Sequence, residues 1–164
     1  MNDYYTKLSI QLDRKEREQL FLFQKDFDYI PFETENGPDG NFLYRDWLES
    51  DLPDFFFNKY GDAYNLSTGL IFLKNKGSVV RHKDVNRFCS ITFPLTDTST
   101  STLFWESEFS DIPIEELNHN GDSYLQNNSQ WHSVPESKED RIFLQMTFKS
   151  HTYNTVRERL NDYW

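Results

Sequence analysis

His82 and Asp84 stand two residues apart at the end of the run GSVVRHKD, and His132 lies much further along, in WHSV. If the first run is a strand, residues two apart leave the same face, so both side chains can meet one ion. Two imidazoles and one carboxylate on one side of a metal leave the opposite positions open, which is the ligand set of non-haem Fe(II) sites. The bland alternative is a surface hydrogen-bonded His–Asp pair. Of the four histidines in the chain, the other two read as ordinary loop residues: His119 in the polar turn Asn118-His-Asn-Gly121, and His151 after the last apolar run.

A second feature is Arg141, which follows His132 and opens the run RIFLQMTF. Period-two alternation puts Arg141, Phe143, Gln145 and Thr147 on one face and Ile142, Leu144, Met146 and Phe148 on the other. A guanidinium on a strand face that lines a barrel is costly unless it meets an anion. A carboxylate suits it, held by two parallel charged hydrogen bonds. A structural ion pair with one of the chain's many acids is the competing reading.

The elements that must position these residues follow from pattern. At 164 residues the chain fits one domain, 1–164. We expect a helical and loop region over 1–63, a β core over 64–150 and a C-terminal helix over 151–164. The segment from about Asp13 to Phe27 predicts an amphipathic helix, with Leu12, Leu20, Phe23 and Phe27 on one side. Residues 33–40 are dense in turn formers and predict an exposed loop. Arg45 to Tyr60, with Trp47, Leu48, Phe55, Phe56 and Phe57 around Pro53, suggests two short helices broken at the proline. From Leu66 the texture becomes LSTGLIFL, SVVRH, RFCSITFPL, STLFWE, DSYLQ, WHSV and RIFLQMTF, the spacing of an all-β sandwich or barrel.

Composition narrows the partners. With 27 acidic and 17 basic residues the formal net charge is -10, which opposes phosphate backbones and anionic lipid surfaces and leaves a small molecule or peptide as the expected substrate. Aromatic residues make up 17% of the chain, too many for disorder despite the low mean hydropathy. The single Cys89 excludes an internal disulfide, and no run approaches transmembrane length, so a cytoplasmic protein is expected. Cys89 shares its predicted strand face with Arg87 and Ile91 and reads as a small buried hydrophobe. Trp105 and Trp131 read as core packing rather than pocket lining.

In order and spacing, His82, Asp84, His132 and Arg141 resemble the motif of the 2-oxoglutarate and Fe(II)-dependent oxygenases built on a double-stranded β-helix. The stretch NLSTGLIFLKNKGSVVRHKDVNRFCSITFPL, then STLFWE, then HSVPESKEDRIFLQ, is similar to small proteins related to aspartyl/asparaginyl β-hydroxylases, over about residues 64 to 148. The resemblance implies a mainly β jelly roll, cupin-like, packed against N-terminal helices. It implies Fe(II) on His82, Asp84 and His132, with 2-oxoglutarate as co-substrate and its far carboxylate on Arg141. Arg87 matches a position where related proteins carry an arginine near the co-substrate, though it could equally bind substrate or sit in an ion pair. Many members place Ser or Thr two residues after the co-substrate arginine, where Phe143 stands here, so a second donor must come from elsewhere. Thr92, Ser90, Tyr64 and Tyr124 are the candidates. Two other readings stay open: a cupin-like metalloenzyme that does not use 2-oxoglutarate, with Arg141 turned from the metal, and a non-catalytic β-sandwich binding module with the three ligands far apart.

Overall fold

A computed structural model of the chain describes residues 2–34, 37–46, 51–97 and 101–164. In chain order the elements are β1 (Tyr5–Lys7), α1 (Arg14–Phe23), β2 (Ile30–Thr34), β3 (Gly37–Asp46), α2 (Asp54–Leu66), β4 (Gly69–Asn75), β5 (Val79–His82), β6 (Cys89–Pro94), β7 (Ser101–Trp105), β8 (Glu115–Asn118), β9 (Tyr124–Asn127), β10 (Trp131–Val134), β11 (Arg141–Phe148) and α3 (Tyr153–Arg159). A short 3-10 turn at Asn161–Tyr163 ends the chain. No helix among the described residues is long and apolar enough to cross a membrane.

From β4 to β11 the strands pair as a nested antiparallel ribbon: β4 with β11, β5 with β10, β6 with β9, and β7 with β8. Rolling this ribbon up adds the pairs β6–β11 and β7–β10. Two sheets result, one seven-stranded in the order β1-β9-β6-β11-β4-β3-β2, the other four-stranded in the order β5-β10-β7-β8. This is the jelly-roll form of the double-stranded β-helix. Its nesting brings His132 opposite His82 across β10 and β5, although half the β region separates them in sequence.

The large sheet has two covered faces of opposite character. Cys89, Ile91 and Phe93 of β6 and Ile142, Leu144, Met146 and Phe148 of β11 join Leu20, Phe56, Tyr60, Tyr153 and Val156 of the helices in one hydrophobic core. The intervening residues of the same strands, Thr92, Arg141, Phe143, Gln145 and Thr147, face a cavity between the sheets. Because both faces are covered, all six residues of β6 are buried. The helices hold the first face. Asp13 and Glu16 form a reciprocal capping box that starts α1, with bonds of 2.8 and 2.9 Å. From the end of that helix and just past it, the Phe23 and Phe27 rings reach Phe72 of β4.

Several expectations need correction. Of the predicted loop at 33–40, the described residues 33–34 and 37–40 are strand: β2 and β3 pair from Ile30↔Tyr44 to Thr34↔Gly37. Pro38 is tolerated because β3 meets β4 only over Phe42–Asp46, so at Pro38 the side toward β4 carries no ladder. Arg45 therefore belongs to β3, Trp47 and Leu48 lie outside the described residues, and a single helix follows Pro53, kinked at Tyr60 and running to Leu66. Strand β8 escaped the sequence pattern because it is the edge of the small sheet and buries only Leu117. Cys89 does face the core with Ile91, and burial pushes its thiol up to about 12, but Arg87 precedes the strand and turns the other way, to the cavity.

Phe56 is fully buried, with its ring 5.3 Å from Phe93 and 5.2 Å from Tyr60. Phe56→Ala should destabilise the fold by about 3–5 kcal/mol. Chemical denaturation checks this; a loss under about 1 kcal/mol would mean that the helix layer does not support the sheet.

Candidate metal centre

Strand β5 ends on His82, the chain turns into the loop that carries Asp84, and His132 sits in the middle of the neighbouring β10. The two imidazole centroids are 4.3 Å apart. Asp84 Oδ1 lies 3.1 Å from His82 Nε2 and 3.8 Å from His132 Nε2. One ligand atom from each of the three residues lies within 4.8 Å of the other two, so a single ion can meet all of them. His82 Nδ1 is 2.8 Å from the Val80 carbonyl and His132 Nδ1 is 2.8 Å from the Gln130 carbonyl. A carbonyl only accepts, so each Nδ1 carries a proton and Nε2 is the nitrogen turned to the common point.

The charges are arranged around Asp84. Burial opposes its ionisation, yet the His82 hydrogen bond and the Arg87 charge hold its carboxyl down at about 2. Burial also opposes charge on His82, but its bonds to Asp84 and to the Val80 carbonyl outweigh this and raise it. Burial, and then the neighbouring His82, press His132 down to about 4. Arg87 grips the far oxygen of Asp84, with Nε at 2.7 Å and Nη2 at 2.5 Å from Oδ2. That leaves Oδ1 for the histidines. The third nitrogen of the same guanidinium, Nη1, donates to Gln145 Oε1 on β11.

The cavity between the sheets measures about 780 Å³ and is lined by all three of these residues together with Thr92, Thr102, His119, Gln126, Arg141 and Gln145, among others. Arg141 is buried, and burial lowers its guanidinium to about 10, still cationic at neutral pH. Its Nη2 makes one long bond, 3.4 Å, to the Gly77 carbonyl, its Nε is sealed without a partner, and no acidic group pairs with it among the described residues. A buried cation left so uncompensated is the signature of a site built for an anion.

Other candidate residues fall elsewhere. Thr92 reaches the cavity, but its hydroxyl accepts from Gln145 Nε2 at 2.9 Å and donates to Gln126 Oε1 at 3.0 Å, so its proton is committed. Ser90 donates to Asn128 Oδ1. The Tyr64 ring packs on Phe57 and the Tyr124 ring on Tyr5, and neither lines the cavity. Trp105 and Trp131 are neither core nor pocket. They pair across β7 and β10, and outside the core clusters they carry cations: the Arg81 guanidinium lies 3.5 Å from the Trp105 centroid and Lys83 5.3 Å from Trp131. His119, read as a loop histidine, turns its ring inward to meet Thr102, with Nε2 3.1 Å from Oγ1. Asn120-Gly121 marks the tight turn that follows it directly, one residue after β8 ends at Asn118, but the turn alone does not say which way the ring faces.

No protein-family model matches the sequence, and no curated protein matches it. Solved structures do match. The alpha-ketoglutarate-dependent non-haem epimerase SnoN from nogalamycin biosynthesis superposes with a TM-score of 0.60 at 12% identity, over 88% of this chain and 76% of its own. HygX from Streptomyces hygroscopicus, solved with nickel and 2-oxoglutarate, gives 0.56 at 10% identity, over 87% and 82%. A prolyl hydroxylase, solved with a hypoxia-inducible-factor peptide fragment from Trichoplax adhaerens, gives 0.57 at 13%, over 90% and 84%. At such identities the likeness is one of fold: the chain shares the double-stranded β-helix of these oxygenases.

Since Arg87 divides the two oxygens of Asp84 between itself and the histidines, Arg87→Leu should weaken Fe(II) or Ni(II) binding about 10- to 100-fold while the protein stays folded. Anaerobic calorimetry with either metal checks this. Wild-type affinity in the variant would show that Asp84 orients without help.

Proposed function

We propose that this chain is a non-haem Fe(II)- and 2-oxoglutarate-dependent oxygenase that hydroxylates a peptide side chain or a small molecule. One observation carries the reading: the His82, Asp84 and His132 ligand atoms converge in the same cavity that holds the uncompensated Arg141. The donor set fits the metal, with two imidazole Nε2 atoms, one carboxylate oxygen and both Nδ1 atoms anchored to carbonyls. When bound, iron and 2-oxoglutarate would let dioxygen oxidise a C–H bond, one oxygen atom entering the substrate as hydroxyl and the other entering succinate as 2-oxoglutarate loses carbon dioxide.

The chain's own residues do the rest. His82, Asp84 and His132 hold the iron from one side. Arg141 binds the far carboxylate of 2-oxoglutarate and, being planar and desolvated, fixes its orientation as well as its charge. Arg87 positions Asp84. Ile71, Ile142 and Phe143 line the cavity and exclude water from it. At its mouth stand the exposed Val80 and Val85 with Lys83 between them, a rim suited to an apolar group that carries a negative or polar end. The acidic net charge favours such a substrate over nucleic acid. The narrower relation to aspartyl/asparaginyl β-hydroxylase-like proteins rests on the resemblance of residues 64 to 148. A cupin-like enzyme without 2-oxoglutarate leaves the inward Arg141 without an anion.

Iron-loaded protein titrated anaerobically with 2-oxoglutarate should develop the visible charge-transfer band of the chelate. Arg141→Leu should retain iron and lose about 3–5 kcal/mol of 2-oxoglutarate affinity, with Arg141→Lys recovering part of it. No band in the wild type would overturn the oxygenase reading, and an unchanged titration in the leucine variant would remove Arg141 from it.

His132→Ala, which deletes one of the three ligands, should abolish stoichiometric iron binding. Calorimetry showing wild-type affinity in that variant would sink the metal assignment.

A further inference from the structure

A single file of hydrogen bonds crosses the cavity wall from Arg87 to His119. Arg87 Nη1 donates to Gln145 Oε1, Gln145 Nε2 to Thr92 Oγ1 at 2.9 Å, Thr92 Oγ1 to Gln126 Oε1 at 3.0 Å, and Gln126 Nε2 to Thr102 Oγ1 at 3.3 Å. Thr102 Oγ1 then meets His119 Nε2 at 3.1 Å. The direction of every bond follows from the first. A guanidinium has donors only, so Gln145 must offer its oxygen to Arg87 and its amide hydrogens to Thr92. Thr92, having accepted, has one proton left, and Gln126 takes it on its oxygen. Gln126 therefore presents its amide hydrogens to Thr102, whose own proton goes to its remaining partner, His119 Nε2.

His119 is thereby fixed as the tautomer with its proton on Nδ1. Burial, reinforced by the charge of Arg141, depresses its pKa to about 4, so the ring is neutral at working pH. Its Nδ1 is sealed from solvent and has no hydrogen-bond partner. Such an orphaned donor is rare and signals a missing partner. The fold gives the ring little freedom to find another. His119 is where the chain leaves the small sheet for the large one, through a tight turn closed by Asp122 N–H donating to the His119 carbonyl at 2.7 Å. Asn120 and Gly121 take φ of 40° and 80° in that turn, as a type I′ turn requires. Tyr124 stands edge-on against the imidazole, centroids 6.2 Å apart at 86°.

Resting on the oxygenase reading, we propose that His119 Nδ1–H is the second donor to the far carboxylate of 2-oxoglutarate, acting beside the Nε–H of Arg141. Both residues line the same cavity, and each holds a buried nitrogen donor that lacks the acceptor one carboxylate brings. This fills the place left by Phe143, and it makes the subsite selective for a dicarboxylate: a 2-oxo acid without the distal carboxylate would leave both donors stranded.

The test uses iron-loaded protein titrated anaerobically with 2-oxoglutarate and, separately, with pyruvate, which chelates alike but has no far carboxylate. His119→Phe keeps a flat ring against Tyr124 and removes both nitrogens; its 2-oxoglutarate affinity should fall roughly 10- to 100-fold while iron content and pyruvate affinity hold. His119→Asn places an amide nitrogen where Nδ1 sits and should recover most of the loss. His119→Gln reaches instead to the Nε2 position and should recover little, so the pair separates a donor at Nδ1 from mere packing. In ring-labelled protein, the nitrogen spectrum should report the Nδ1–H tautomer for His119 and a shift of that resonance on adding 2-oxoglutarate. If the wild type binds 2-oxoglutarate and His119→Phe binds it within twofold, the inference is overturned and the oxygenase reading stands. Absence of 2-oxoglutarate binding in the wild type overturns both.

Discussion

A guanidinium can only give hydrogen bonds, and Arg87 gives them in two directions at once. Toward Asp84 it takes one carboxylate oxygen and leaves the other to face two imidazoles. Toward Gln145 it sets the sense of a file of amides and hydroxyls that reaches Thr102. A buried polar network with every member satisfied is rigid, because reversing one link leaves two donors or two acceptors opposed. The ligand cluster and the opposite wall of the cavity thus share one electrostatic orientation, and it originates in one side chain.

That network exists because the large sheet is sandwiched. On one side the helices supply an aromatic layer, with Phe56, Tyr60 and Phe93 at centroid distances of 4.7 to 5.3 Å. On the other the small sheet encloses a cavity lined by the three candidate ligands, Arg141 and the amides and hydroxyls of the hydrogen-bond file. Most domains place their apolar core between the two sheets of a sandwich. Here the greater core lies outside the roll, and a minor cluster of Phe104, Leu117 and Tyr124 is the apolar packing that joins small sheet to large.

Legibility in the sequence followed the range of the physics involved. His82 and Asp84 were readable because a spacing of two residues is a local relation, although Asp84 stands in the loop past the end of β5 rather than in the strand. The two faces of β11 were readable for the same reason: every residue assigned inward by alternation lines the cavity, and every one assigned to the other face is in the core. His119 was not readable. Its neighbours Asn118, Asn120 and Gly121 announce a turn, and turns are ordinarily solvated; that this turn carries the chain between sheets depends on which strands pair, and no local signal reports it. Trp105 and Trp131 were misplaced because alternation says that they share a face but not which face, and cations from β5 and the loop after it cover them instead of a core. The β2–β3 pair was hidden by glycine and proline in a segment where the edge of a sheet tolerates them.

The alternation along β6 and β11 separates two kinds of change. Cys89, Ile91, Phe93, Leu144 and Met146 answer to the helix layer, so replacing them alters how firmly the molecule is folded. Their immediate neighbours Thr92, Phe143 and Thr147 line the cavity and answer to it. Adjacent codons in one strand therefore govern separate properties, durability and chemistry. A lineage built on this roll can explore new substrates by exchanging every second residue, drawing little on the stability reserve that most active-site changes deplete.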